Sequence, residues 1–97
     1  MVKDVNVYNK IFEAVEKVPG ASNPHRVRSR MIGNRYIITL DIEVNPHITI
    51  TQAHKIAGAV EKSIEDSIDN VYDILVHVEP AGECQTDEKF GVNKGMV

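Results

Sequence analysis

The sequence predicts an α+β domain of two layers, in which two helices pack on one face of a three-stranded sheet in the order α-β-β-α-β. Residues 3–18 and 49–68 repeat apolar side chains at helical spacing. Residues 25–32, 35–44 and 71–80 are β-type runs, and the first two flank a two-residue turn. Helices on one side of a single sheet bury one apolar face of every element, so the other face of the sheet is expected to be uncovered.

Composition indicates one small domain. The 97 residues are 42% hydrophobic and 26% charged, which suffices for a core without disulfide bonds. We expect a folded domain over residues 1–80 and a flexible tail over residues 81–97, because the tail has three glycines and no periodicity. The single cysteine, Cys84, has no partner for an internal bridge, which favours a reducing, cytoplasmic setting.

Several classes of function are excluded. A net charge of -3 argues against a general nucleic-acid surface, although all four arginines fall between positions 26 and 35. No run approaches the roughly 20 apolar residues that span a bilayer, and no signal peptide is evident, so the chain as given is expected to be soluble. Nucleotide-binding glycine loops and nucleophile-elbow motifs are also missing from the sequence, so we expect no enzyme.

The first helix is expected over residues 3–18, where Pro19-Gly20 ends the pattern. Its main apolar positions are Val5, Tyr8, Phe12 and Val15. A hairpin follows, because Gly33 and Asn34 both tolerate the positive φ that a tight turn needs. In its second strand apolar and polar residues alternate, which places Asp41 on the outward face.

The second helix is expected to begin at Thr49, since Thr49-Ile50-Thr51-Gln52 matches a capping box. Its apolar stripe consists of Ala53, Ile56, Ala57, Val60, Ile64 and Ile68. In the third strand one face is expected to carry Tyr72, Ile74, Val76 and Val78. The other face carries Leu75, and together with Ile37 this indicates a partner surface, for which a homodimer is the simplest interpretation.

A metal site is indicated by His77 and Glu79, which lie two residues apart on one face of a strand, about 6.7 Å apart at the backbone. Imidazole with carboxylate suits zinc and other borderline divalent metals. Such pairs on exposed strands are usually only solvated polar residues, so the pattern alone leaves both interpretations open. His25 shares its parity with the inward Val27, and His54 lies at the edge of a helix stripe, where packing or capping is the usual role.

Five segments together resemble the C-terminal domain of the cation diffusion facilitator family over residues 5–80. They are Val27-Arg28-Ser29-Arg30, Gly33-Asn34-Arg35-Tyr36, Ile42-Glu43-Val44, Gln52-Ala53-His54 and Val76-His77-Val78-Glu79-Pro80. The resemblance implies a metallochaperone-like, ferredoxin-like domain that dimerises on the cytoplasmic face of a membrane, beneath a transmembrane portion that exports divalent cations. It also implies metal ligands at His25, Asp41, His54, His77 and Glu79.

The resemblance makes zinc the first choice of metal, with iron, manganese, cobalt and cadmium as alternatives. Since Asp41 stands where some members have histidine, the number of ions and their identity stay open. The hypothesis that follows is that repulsion between Asp41 and Glu79 holds two metal-free subunits apart, and that a bound cation draws them together. A free-standing metallochaperone or metal buffer, and a metal-independent dimerisation module, are the alternative functions.

Overall fold

A computed structural model describes residues 5–82. Its five elements follow the predicted order, with bounds α1 Val5–Glu16, β1 Ser22–Ile32, β2 Arg35–Val44, α2 Ile50–Ser67 and β3 Val71–Pro80. The predicted α-β-β-α-β architecture is therefore confirmed. Of the expected tail, residues 81 and 82 form a turn after β3, and the rest, including Cys84, lies outside the described residues. Within residues 5–82 no helix has both the length and the hydropathy needed to span a membrane.

The three strands form one mixed sheet in the order β1-β2-β3. β1 and β2 are antiparallel and are joined by the predicted hairpin, whereas β2 and β3 are parallel. A parallel pair needs a crossover connection, and α2 supplies it. β2 is consequently the central strand, and its side chains have neighbours on both sides.

The core lies between the helices and one face of the sheet. β2 contributes Ile38, Leu40, Ile42 and Val44, all buried, in the alternation that the sequence predicts. From the helices, Ile11, Val15, Val60 and Ile64 meet this face, and each buried side chain of this kind stabilises the fold by about 1.5–3 kcal/mol. The Ser63 hydroxyl also donates a 2.8 Å hydrogen bond to the Ala14 carbonyl, which ties α2 to α1.

The start of α2 is confirmed in detail. The Thr49 hydroxyl accepts a hydrogen bond from the Gln52 amide, and the Gln52 side chain accepts one from the Thr49 amide, both at 3.0 Å. The hairpin turn differs slightly from expectation, because Gly33 has a φ of +60° whereas Asn34 is not among the residues with positive φ. This is the φ pattern of a type II′ turn.

The second face of the sheet, called here the open face, carries Ile37, Asp41, Leu75, His77 and Glu79. Leu75 is 64% exposed there, as expected for an uncovered surface. The predicted inward position of Tyr72 is wrong, since Tyr72 is 61% exposed. Tyr36 pairs with Val71 and Ile37 pairs with Asp73, so Tyr72 is an extra residue that bulges from β3, and Val71 packs against the core instead.

Candidate metal centre

A row of three potential ligands crosses the open face. His25 of β1 is the direct backbone partner of Asp41 in β2, and Asp41 is in turn the partner of His77 in β3. Neighbouring strands lie about 4.8 Å apart, so the register alone brings these three side chains together. Glu79 follows His77 by two residues and projects from the same face of β3.

His25 reaches this row because β1 is irregular on both sides of it. The register shifts once between Ser22 and His25 and again between His25 and Arg28. Asn23 and Arg26, one in each irregular stretch, have φ values of 48° and 50°, which are unusual for residues other than glycine. Bulges of this kind change the face of the sheet from which a side chain projects. Strand parity assumes a regular strand, and for this reason it grouped His25 with the inward Val27.

The side chains of the row lie close to two carboxylates. His25 Nε2 is 3.1 Å from Glu79 Oε1 and 3.9 Å from Asp41 Oδ2. His77 Nδ1 is 3.6 Å from both Asp41 Oδ1 and Glu79 Oε2. Four of the five residues that the sequence predicts as ligands, namely His25, Asp41, His77 and Glu79, are therefore brought together within one chain.

The surroundings of His25 favour its protonated form. Its Nδ1 donates a 2.7 Å hydrogen bond to the Asn23 carbonyl, and this bond raises the pKa of His25 above its ordinary value of 6.5. Burial opposes this effect, whereas the negative charges of Glu79 and Asp41 and a hydrogen bond to Glu79 add to it, and together these causes leave the pKa of His25 raised. A proton on His25 Nε2, the nitrogen that faces Glu79 and Asp41, would compete with a metal ion for that nitrogen.

Asp41 is the buried centre of the group. The residue is only 8% exposed although it projects from the open face. Its Oδ2 atom is buried and has no hydrogen-bond partner among residues 5–82. Because a buried acceptor without a hydrogen-bond donor is costly, this oxygen suits a bound cation. The imidazole and carboxylate groups around Asp41 suit a divalent transition metal. The residues present therefore fit a metal ion.

Glu43 is a candidate ligand that the sequence analysis missed. One group of possible ligands consists of His25, Glu43 and Glu79, and a second consists of Asp41, His77 and Glu79, with the ligand atoms of each group within 4.8 Å of one another. Glu79 belongs to both groups and could bridge two ions. The sequence signal was the outward parity that Glu43 shares with Asp41 on β2. The pairing of Glu43 with Glu79 is visible only in the structure.

The fifth predicted ligand lies elsewhere. His54 is exposed on α2 and belongs to neither group of ligands among the described residues. His47, which the sequence analysis did not select, is an exposed loop residue whose backbone amide donates to the Asn45 side chain. His54 therefore remains a prediction that this single chain does not bring into the site.

Known proteins share this fold and this sequence pattern. The family described as the cation efflux protein, cytoplasmic domain matches residues 4–81. The metal-bound C-terminal domain of the CzcD transporter from Thermotoga maritima is 37% identical, with a TM-score of 0.77 over 80% of this chain and 91% of that one. A single-residue variant of the C-terminal domain of MamM, in its nickel form, is 32% identical, with a TM-score of 0.75 over 79% of this chain and 98% of that one. MamM is a magnetosome protein of Magnetospirillum gryphiswaldense.

Among curated full-length relatives, the manganese efflux system protein MneS of Bacillus subtilis is 30% identical over 81% of this chain and 26% of its own length. The chain spans about a fifth to a quarter of the first such relatives, with shares of 19%, 23% and 26%. The family is described by a cytoplasmic domain and not by a catalysed reaction. This agrees with the expected position on the cytoplasmic face of a membrane and with the expectation that the chain is not an enzyme. With most of its length matched, the chain belongs to the family of cation efflux protein cytoplasmic domains.

Proposed function

We propose that this chain is the regulatory domain of a divalent-cation efflux transporter and that it binds a transition metal, zinc in the first place, on its open face. The observation that carries the proposal is the buried Asp41 Oδ2 atom, which has no hydrogen-bond donor among residues 5–82. Its carboxylate lies beside His25 and His77 and belongs to one group of possible ligands with Glu79. The ion pairs with His25 and Arg26, at 3.9 and 3.7 Å, are too long to satisfy this oxygen as an acceptor, whereas a bound cation would satisfy it.

The bound metal would be held by His25, Asp41, His77 and Glu79, with Glu43 as a further carboxylate. When bound, it supplies a positive charge that offsets the clustered carboxylates. For ligation by Nε2, His25 releases its proton, so that metal uptake is coupled to proton release. The choice of zinc rests on the combination of imidazole and carboxylate, and the larger number of carboxylates keeps manganese, iron, cobalt and cadmium as candidates.

We further propose that two copies of the chain share the site. The His77 side chain is 68% exposed although it belongs to the row, so its outer side is free for a second copy. Ile37 and Leu75 give the same face apolar surface. In such a homodimer His54 of the partner subunit is the proposed fifth ligand, since it is exposed on α2 and lies outside both groups within one chain.

In a closed dimer the two cytoplasmic domains would lie together, and in an open dimer they would lie apart. The metal would regulate the transporter if it binds the closed dimer more tightly than the open one. Repulsion between carboxylates of two subunits would favour the open state. His25 and Arg26 reduce this repulsion in each subunit, because they lie 3.9 and 3.7 Å from the Asp41 carboxylate. The attached transmembrane domain would respond to the distance between the two cytoplasmic domains and adopt its transport-competent state when they close.

The test is calorimetric titration with zinc, manganese, iron(II), cobalt and cadmium. His77→Ala is expected to abolish binding, whereas His47→Ala, the same change at an exposed histidine outside both groups, is expected to preserve it. Equally weak binding by wild type and both variants would instead favour a metal-independent dimerisation module. Spin-label distances between subunits, measured with and without zinc, test the closure, and unchanged distances at saturation would refute it.

A further inference from the structure

A permanent cation lies beside the proposed metal ligands. Arg26 Nε is 3.7 Å from Asp41 Oδ2, the same buried oxygen for which the described part of the chain offers no hydrogen-bond partner. The distance is that of an ion pair and is too long for a hydrogen bond, so the guanidinium neutralises the charge of Asp41 without satisfying the oxygen as an acceptor. The Arg26 side chain is 66% exposed and has open solvent into which it can turn.

The backbone of β1 places Arg26 there. In a regular strand, His25 and Arg26 would project from opposite faces of the sheet. Arg26 instead has a φ of 50° within the irregular stretch between His25 and Arg28, and both His25 and Arg26 come within 4.0 Å of one Asp41 oxygen, at 3.9 and 3.7 Å. The same irregularity therefore brings in both a candidate ligand and a competing charge.

Among residues 5–82, Arg26 is the arginine of this strand that lies within ion-pair distance of a carboxylate. Arg28 and Arg30 pair with Thr39 and Ile37 of β2 and line a cleft with them. Within residues 5–82 neither of them forms an ion pair with an acidic side chain. Arg26 thus combines a left-handed backbone with a contact to the buried carboxylate of Asp41.

We propose that Arg26 is an internal counter-cation that occupies the Asp41 carboxylate in the metal-free domain, turns away when a divalent cation binds, and thereby sets the free-metal concentration at which the domain responds. The inference rests on the proposed metal-binding function and adds a regulatory residue to it. A guanidinium keeps its charge at every physiological pH, so unlike His25 it cannot make room by losing a proton. Its repulsion of a divalent ion lowers affinity until the side chain has moved.

The test compares Arg26→Gln with Arg28→Gln. Both variants remove one positive charge from the same strand, and glutamine keeps the Cβ atom, so the backbone strain at position 26 is unchanged. In zinc titrations at low salt, Arg26→Gln is expected to bind about tenfold more tightly than wild type, which corresponds to about 1.4 kcal/mol. Arg28→Gln is expected to bind like wild type, and the advantage of Arg26→Gln is expected to shrink at high salt.

NMR of the wild type provides a second measurement. On addition of zinc the side-chain Nε–H signal of Arg26 is expected to shift as the contact with Asp41 is lost, while that of Arg28 stays in place. Unchanged or weaker binding by Arg26→Gln, equal tightening in Arg28→Gln, or an unmoved Arg26 signal would each overturn the proposal. These outcomes differ from failure of the proposed function, in which wild type and His77→Ala would show equally weak binding.

Discussion

Replacement of Asp41 by asparagine separates stability from metal binding. Asp41 lies 3.6–3.9 Å from nitrogen atoms of three side chains, those of His25, Arg26 and His77. All three partners are partly exposed, so each pair contributes about 0–1 kcal/mol. Against this loss stands the cost of a buried acceptor without a donor, about 1–3 kcal/mol. Because asparagine keeps the shape and removes the charge, we expect the free energy of unfolding without metal to change by less than about 1 kcal/mol.

Metal binding should respond much more strongly to Asp41→Asn. Loss of a residue that only supports a metal ligand costs about 10–100-fold in affinity, and loss of a ligand should cost at least the upper figure. At a zinc concentration about 100 times the wild-type Kd, ligand binding stabilises the wild type by about 2.7 kcal/mol. With affinity reduced about 100-fold, the same zinc concentration would stabilise the variant by only about 0.4 kcal/mol.

Urea unfolding followed by circular dichroism measures both quantities, once with a chelator and once with zinc, at fixed protein concentration. Asp73→Asn is the matched control, because Asp73 is an exposed carboxylate of β3 outside both ligand groups. It should match wild type in both conditions. If Asp41→Asn costs more than about 2 kcal/mol in chelator, Asp41 is mainly structural, and if zinc still stabilises it fully, Asp41 is not a ligand.

Three further predictions concern pH and local structure. The raised pKa of His25 means that its proton stabilises the metal-free fold fully below about pH 6.5, the unfolded value, and that this contribution disappears as pH rises through the folded pKa. Urea unfolding at pH 5.5 and 8.5 should show the loss in wild type but not in His25→Gln. Gly20→Ala should lower Tm, since Gly20 has a φ of 93° and an added Cβ would lie 2.9 Å from Ile56 Cδ1, and an unchanged Tm would contradict this. Thr49→Ala should cost about 1 kcal/mol in urea unfolding, whereas Thr49→Ser should cost little.

Local patterns predicted the elements well because the interactions that set them are close in sequence. The capping box involves residues three apart, Thr49 and Gln52, and the structure confirms both of its hydrogen bonds. Alternation along β2 likewise identified the buried face from neighbouring residues alone. The predicted inward orientation of Tyr72 is wrong because its bulge depends on an interaction between distant residues. The bulge arises from the pairing of β2 with β3, which α2 separates in sequence.

For the candidate site, the sequence by itself predicted part of the geometry, and it left a metal site and a solvated polar pair both open as interpretations of that geometry. It identified His77 and Glu79 as a pair on one face of a strand and placed Asp41 on the same side of the sheet, since parity within a strand is local. The family resemblance added His25 and His54, which periodicity did not support.

Only the tertiary structure decided how these groups meet. The pairing of three strands aligned His25, Asp41 and His77 in one row, and two bulges in β1 turned His25 and Arg26 toward the same carboxylate. The same pairing buried Asp41, a polar residue on an otherwise uncovered face, and brought Glu43 beside Glu79. Strand register, bulge position and burial all depend on contacts between residues distant in the chain, and periodicity within a single strand carries no information about them.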